Sequence, residues 1–131
     1  MPAAEVDALV ALDANFLIAA RIIGSKEGLQ LEAWLREGSV ILMCALAWSE
    51  YLCGPPLRDD LAISRRFIRA VEPIIERDAE VASELFNDTG RRSRSHVDCI
   101  IAAHAIRREA VLATRNVQDF RPFTKFGLSL A

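Results

Sequence analysis

The chain has 131 residues, 52% of them hydrophobic, which suits one compact domain spanning residues 1–131 with a sizeable core. Its 16 Lys and Arg against 18 Asp and Glu give a formal charge of -2, so it lacks the basic surplus typical of a nucleic-acid binder. No basic leader with an apolar core opens the chain, and no apolar run is long enough to span a bilayer, so we expect a cytoplasmic protein without membrane contact.

The first predicted element is an apolar run, residues 8–13, that ends in the carboxylate of Asp13. A short continuous apolar run is typical of a strand buried on both faces of a parallel sheet. Ligands bind beyond the carboxyl ends of such strands, so Asp13 is a candidate site residue. Asp is also a favoured N-cap, and at this point both interpretations remain open.

Helices and strands are predicted to alternate along the rest of the chain, with Gly, Pro and capping residues marking their ends. The predicted helices are 14–23, 25–36, 45–53, 57–71, 78–87 and 96–109. The further strands are 40–43, 110–114 and, more weakly, 128–130, with a brief extended piece at 74–75. The alternation predicts right-handed crossovers and an α/β fold with a central parallel sheet flanked by helices.

Three acidic residues, Asp13, Glu50 and Asp98, stand in apolar surroundings near elements that end or begin at the expected carboxyl edge of the sheet. Carboxylates sharing a cleft would repel one another and raise their pKa values, and a divalent cation removes that penalty. Hard oxygen ligands without Cys or paired His favour Mg²⁺ or Mn²⁺, and such a site suits phosphodiester hydrolysis. Glu50 as a half-exposed helix residue, and Asp98 as a helix-dipole partner only, remain alternatives.

Four strings, LDANFLI, WSEYLCG, HVDCIIAAHAI and LATRNVQDF, resemble the signature segments of the PIN-domain ribonucleases, above all the VapC-type toxins of toxin–antitoxin pairs. The match covers nearly the whole chain in order. It implies a PIN-like fold of four to five strands, Mg²⁺- or Mn²⁺-dependent RNA cleavage, a small antitoxin partner and a homodimer. By this resemblance the catalytic, metal-binding acids are Asp13, Glu50, Asp98 and Asp119, and the supporting polar residues are Asn15, Thr114 and Asn116.

Two groups of residues admit both a functional and a plain interpretation. Arg91, Arg92 and Arg94 form a local basic cluster that could bind RNA phosphates or simply face water. His96, two residues before Asp98, could approach the substrate, but a solvated or core-edge position is the better expectation.

The cysteines lack metal-ligand spacing and are expected to be reduced and buried: Cys44, Cys53 and Cys99.

Apolar side chains on the second and third predicted helices outnumber what one core obviously needs: Leu29, Leu31, Trp34, Leu35, Trp48, Tyr51 and Leu52. We expect them to line a groove for an antitoxin helix, with burial of both Trp residues in the core as the alternative. Two rival functions remain open. One is a PIN nuclease in RNA processing, and the other is a non-catalytic receiver-like module with Asp13 as phosphoacceptor and Lys125 as its late lysine.

Overall fold

The computed structural model describes residues 8–54, 58–91 and 95–131, and it is built on a five-stranded parallel sheet in the order β3-β2-β1-β4-β5. The strands are β1 (Leu9–Leu12), β2 (Val40–Cys44), β3 (Ile68–Glu72), β4 (Val111–Ala113) and β5 (Ser129–Leu130). The helices are α1 (Ala14–Ala20), α2 (Lys26–Arg36), α3 (Ala45–Cys53), α4 (Arg58–Phe67), α5 (Glu76–Asp88), α6 (Ser95–Arg108) and α7 (Val117–Phe120). A 3₁₀ turn, Arg121–Phe126, precedes β5. The predicted α/β class is confirmed.

The central strand β1 is buried from Val10 to Leu12, as its uninterrupted apolar sequence predicts for a strand covered on both faces. It pairs with β2 on one side and with β4 on the other, with Leu12 opposite Ala113. From β1 the chain moves to β2 and β3, and later returns to β4 and β5 on the opposite side. The carboxyl ends of β1 and β4 therefore form the topological switch point, where open α/β sheets bind their ligands.

The prediction of one helix over 57–71 is wrong, since the structure has α4 followed directly by β3. The apolar spacing from Leu61 to Val71 fits a helix, but Ile68 is buried and Arg69 exposed, which is the alternation of an edge strand. Val71 pairs with Met43 of β2 in the parallel register. The extended piece predicted at 74–75 forms no strand. The strand of this region is β3, which ends just before Pro73.

Several apolar residues expected on the surface are in the core. Tyr51 is fully buried and its hydroxyl pairs with Ser64 Oγ at 3.1 Å, while Leu31 and Trp48 are also buried. Trp34 is partly buried, with its ring 5.7 Å from that of Phe16. The remaining three residues of the predicted groove lining are exposed: Leu29, Leu35 and Leu52.

The cysteines differ from one another. Cys44 and Cys99 are buried as expected, whereas the expectation for Cys53 is wrong, because it is exposed at the end of α3.

No helix among the described residues is long and apolar enough to cross a membrane.

Candidate active site

Asp13 lies at the carboxyl end of β1, is only 5% exposed, and caps α1. Its Oδ1 accepts a hydrogen bond from the Ala14 amide at 2.9 Å, and its Oδ2 accepts one from the Thr114 hydroxyl at 2.8 Å. Burial raises the pKa of Asp13, and the two hydrogen bonds oppose that rise. The capping interpretation is therefore correct, but a cap needs only one carboxylate oxygen, and Thr114 fixes the other.

Thr114 connects the ends of β1 and β4. Its Oγ1 accepts a hydrogen bond from the Asn116 amide at 3.1 Å while donating to Asp13. Asn15 Oδ1 accepts the Arg115 amide at 3.0 Å, so the start of α1 is tied a second time to the loop after β4. The Asn116 side chain makes no capping bond to α7, although its residue occupies the N-cap position. Asn15 and Thr114 thus act on the geometry of Asp13 through defined contacts.

Four carboxylates meet at this edge of the sheet, each brought there by a different element. Asp13 follows β1, Glu50 lies in α3 after β2, and Asp98 and Asp119 lie in the first turns of α6 and α7. Burial and then the charges of Asp13, Asp119 and Glu50 raise the pKa of Asp98 to about 7. Burial, followed by the charge of Asp13, also raises the pKa of Glu50, which is exposed. Asp13, Glu50 and Asp119 therefore lie within electrostatic range of Asp98.

Among the described residues, Arg91 and the two histidines contact side chains other than the four acids. Arg91 is exposed, with its guanidinium 6.0 Å from the Phe86 ring, while Arg92 and Arg94 lie outside the described residues. His96 is exposed and meets the same Phe86 ring edge-on at 5.5 Å. Buried His104 pairs through Nε2 with Glu72 Oε1 at 2.8 Å, and burial lowers its pKa.

A feature that the sequence did not predict is a cavity of about 350 Å³ between α1, the start of α2 and the loop after β4. Thr114 and Glu27 are both among its lining residues, and Glu27 is itself buried. In the sequence Glu27 has the appearance of an ordinary acid in the first turn of a helix, where it complements the helix dipole. No local pattern distinguishes it, because its burial depends on the packing of α2 against α1.

The comparisons with known proteins agree with this architecture. The family model described as PIN domain matches residues 10–122. Among the solved structures, VapBC2 from Rickettsia felis, bound to a promoter DNA fragment, superposes with a TM-score of 0.75 at 19% identity, over 94% of this chain and 97% of that one. A toxin–antitoxin complex from Klebsiella pneumoniae gives 0.66 at 24% identity, over 85% and 89%.

DNA-bound VapBC from Salmonella typhimurium gives a TM-score of 0.67 at 19% identity, over 95% of this chain and 97% of that one. Among curated proteins, no sequence is significantly similar to this chain. The structural similarities, all below 25% identity, show the fold. The family model spans most of the chain, including the strands and helices that carry the four acids. The chain therefore belongs to the PIN domain family.

Proposed function

We propose that this PIN domain is a Mg²⁺- or Mn²⁺-dependent endoribonuclease that serves as the toxin of a toxin–antitoxin pair. The observation that carries the proposal is the position of Asp13 at the topological switch point of the sheet, where the Ala14 amide and the Thr114 hydroxyl fix its two carboxylate oxygens. The charges of Asp13 and two further acids act on Asp98 at the same edge. Mutually repelling carboxylates at a ligand-binding edge are costly, and a divalent cation offsets that cost. Membership of the PIN family and the likeness to toxin–antitoxin complexes support the same function.

The donor set fits a hard, partly hydrated cation. Within residues 8–54, 58–91 and 95–131, no group of three or more His, Cys, Asp or Glu side chains is placed to hold a metal ion by itself. Mg²⁺ rarely needs such a group, since it keeps several waters and is commonly held by one or two carboxylates together with substrate phosphates. We infer that the cation binds together with water and RNA phosphates, with Asp13, Glu50 and Asp98 as the candidate ligands and Asp119, exposed in α7, acting directly or through water.

Each acid would contribute in a way set by its position. Asp13 is fixed by the Ala14 amide and the Thr114 hydroxyl, so it presents a rigid carboxylate. Asp98 must lose its proton to act as a ligand, and a cation would lower its pKa again. A bound divalent ion would activate a water and neutralise charge on the leaving oxygen. Arg91, with the adjacent Arg92 and Arg94, would attract the RNA backbone.

The test is cleavage of single-stranded RNA by the purified protein with Mg²⁺, Mn²⁺ or EDTA. Cleavage should require the cation and fall by at least about 100-fold in Asp13→Asn, which can keep the capping oxygen but loses the charge. Glu37→Gln, a matched change at the exposed end of α2, should cleave like the wild type. Cation-independent cleavage, or full activity in Asp13→Asn, would contradict the assignment.

The toxin part of the proposal concerns the apolar surface formed by the end of α1, α2 and the end of α4. Here Ile22 is 64% and Leu29 57% exposed, and both line a groove of about 230 Å³ together with Leu35 and Phe67. Exposed apolar grooves of this kind accept the apolar face of an amphipathic helix. We propose that an antitoxin helix occupies it. Trp34 packs against Phe16 and is not among the residues that line this groove.

This part is tested by co-purification with the product of the neighbouring small reading frame. Leu29→Ser should weaken complex formation by about tenfold or more, because it removes an apolar side chain from the groove centre. Ile75→Ser, at an exposed apolar residue before α5, serves as the control and should bind normally. Equal binding by both variants would contradict this groove. The expected homodimer is checked by light scattering of the purified protein.

A further inference from the structure

The cavity between α1, α2 and the loop after β4 adjoins the candidate active site through Thr114. Thr114 lines it and also donates its hydroxyl to Asp13 Oδ2 at 2.8 Å. The volume of about 350 Å³ lies at the small end of the range for ligand pockets, which suits a group of the size of one nucleotide. An RNA strand bound at the four acids would therefore place the nucleotide next to the bound phosphate at the opening of this cavity.

Glu27 is the unusual group in the cavity wall. It is only 8% exposed, and its carboxylate has no hydrogen bond or ion pair to any other residue that the structure describes. Acidic side chains with so little exposed surface usually have a protein partner. Its carboxylate oxygens are not among the fully enclosed, unpaired polar atoms, so they retain access to the cavity. A ligand with N–H donors would supply the missing partners.

Local packing holds the backbone that carries Glu27 in place. Ser25 caps α2 by accepting the Gly28 amide at 3.0 Å, and it donates its own hydroxyl to Ala19 O at 2.8 Å. A Cβ on Gly28 would lie 2.9 Å from Ala20 O, so α2 approaches α1 as closely as only glycine permits. The first turn of α2, which carries Glu27, is therefore fixed against α1. A fixed backbone lowers the entropic cost of presenting the Glu27 side chain to a ligand.

The other walls have the chemistry of a nucleotide site. Phe16 and Val117 provide apolar surface for a base, and Gln30 adds an amide. Lys26 and Arg115 are exposed cations at the same cavity, suited to the flanking phosphates. Unpaired RNA bases are recognised by this combination of apolar contact and hydrogen bonds to the Watson–Crick edge.

We propose that the cavity binds the base next to the scissile phosphate and that Glu27 selects guanine. This rests on the RNA cleavage proposed above. Guanine presents two adjacent donors, N1–H and the N2 amino group, which match the two oxygens of a carboxylate. Adenine and cytosine present one amino donor beside an acceptor nitrogen, and uracil presents one donor between two carbonyls. Each of these bases would set an acceptor against the Glu27 carboxylate.

The experiment measures fluorescence anisotropy of short single-stranded RNAs with a single G, A, C or U in a fixed background, in EDTA so that binding is separated from cleavage. Wild type should prefer the guanosine oligomer by about tenfold, as expected for one bidentate contact. Glu27→Gln should lose this preference and gain affinity for adenosine and cytidine, because each of these bases pairs an amino donor with an acceptor nitrogen that a carboxamide matches. Glu37→Gln, at the far end of α2, should behave like wild type.

Cleavage mapping should then place the guanosine next to the cut in wild type, and adenosine or cytidine there in Glu27→Gln. Equal affinity of the wild type for all four oligomers would overturn the inference even if RNA is cleaved. So would a Glu27→Gln variant that keeps the guanosine preference, whether its affinity for the four oligomers is unchanged or uniformly weaker. Glu27-dependent guanosine binding without cleavage in Mg²⁺ or Mn²⁺ would support the cavity assignment and overturn the nuclease proposal alone.

Discussion

Replacing Asp98 by Asn should stabilise the cation-free protein, and more at pH 8 than at pH 5. Burial and the charges of Asp13, Asp119 and Glu50 raise the pKa of Asp98 from 3.8 to about 7. An acid with a higher pKa in the folded chain than in the unfolded chain favours folding only while protonated. Stability is therefore lost as the pH rises through this window, and the full cost is present above about pH 7. Asn carries no charge and avoids this cost.

The magnitude follows from the size of that window. A change in pKa from 3.8 to about 7 corresponds to at most about 4 kcal/mol. Asp98 is partly exposed, so solvent screening and relaxation reduce the penalty to about 1–2 kcal/mol. Losing a negative charge from the first turn of α6 costs about 0.3–1 kcal/mol. The net gain for Asp98→Asn should be about 1 kcal/mol at pH 8 and smaller at pH 5, where the carboxylate of the unfolded chain is already ionised but Asp98 in the folded chain is still protonated.

The assay is urea denaturation of both proteins in EDTA at the two pH values. Asp88→Asn, the same change at an exposed residue ending α5, controls for general loss of negative charge. A gain in Asp98→Asn that is the same at both pH values would show that Asp98 does not carry a raised pKa. Equal or lower stability than wild type at pH 8 would refute the electrostatic argument for a strained carboxylate cluster.

Three further predictions concern the same region. Mg²⁺ or Mn²⁺ should raise the midpoint of thermal unfolding of the wild type, and the rise should shrink in Asp98→Asn, as measured by calorimetry. Thr114→Val should lower both cleavage and stability, the latter by about 1–3 kcal/mol, because the second oxygen of Asp13 loses its donor, whereas Thr114→Ser should retain most of both. Gly28→Ala should lower the thermal midpoint and weaken guanosine selectivity, since its Cβ would press on Ala20 O and displace α2.

The sequence was sufficient for the central part of the fold because periodicity and local signals agree there. The apolar run ending in Asp13 predicts β1 and its carboxyl edge, and Ser25 and Gly38 mark the ends of α2 correctly. These features are local, so neighbouring residues alone determine them. The placement of Asp98 in the first turn of α6 is confirmed for the same reason.

The region after α4 could not be predicted in this way. Ile68 and Val71 have a spacing that satisfies both a helix and a strand, and only pairing with β2 decides between them. The surface prediction for Tyr51 is wrong for a related reason, since its burial depends on Ser64 of α4, a residue from a different element. Spacing along one element does not report which other element will cover it.

The candidate site depends on local sequence signals and also on contacts between elements that are far apart in the chain. Asp13 and Thr114 are 101 positions apart, yet they share a 2.8 Å hydrogen bond because β1 and β4 are neighbours in the sheet. Each residue is recognisable as the end of its own strand, but only the strand order makes them partners. Glu27 differs from both, because its position in the first turn of α2 is not distinctive in the sequence. Its significance depends on being a buried acid without a partner among the described residues, a property that exists only after α1 and α2 have packed. The base selection that we propose for Glu27 is thus encoded in helix packing, whereas Asp13 and Thr114 are recognisable as the ends of strands.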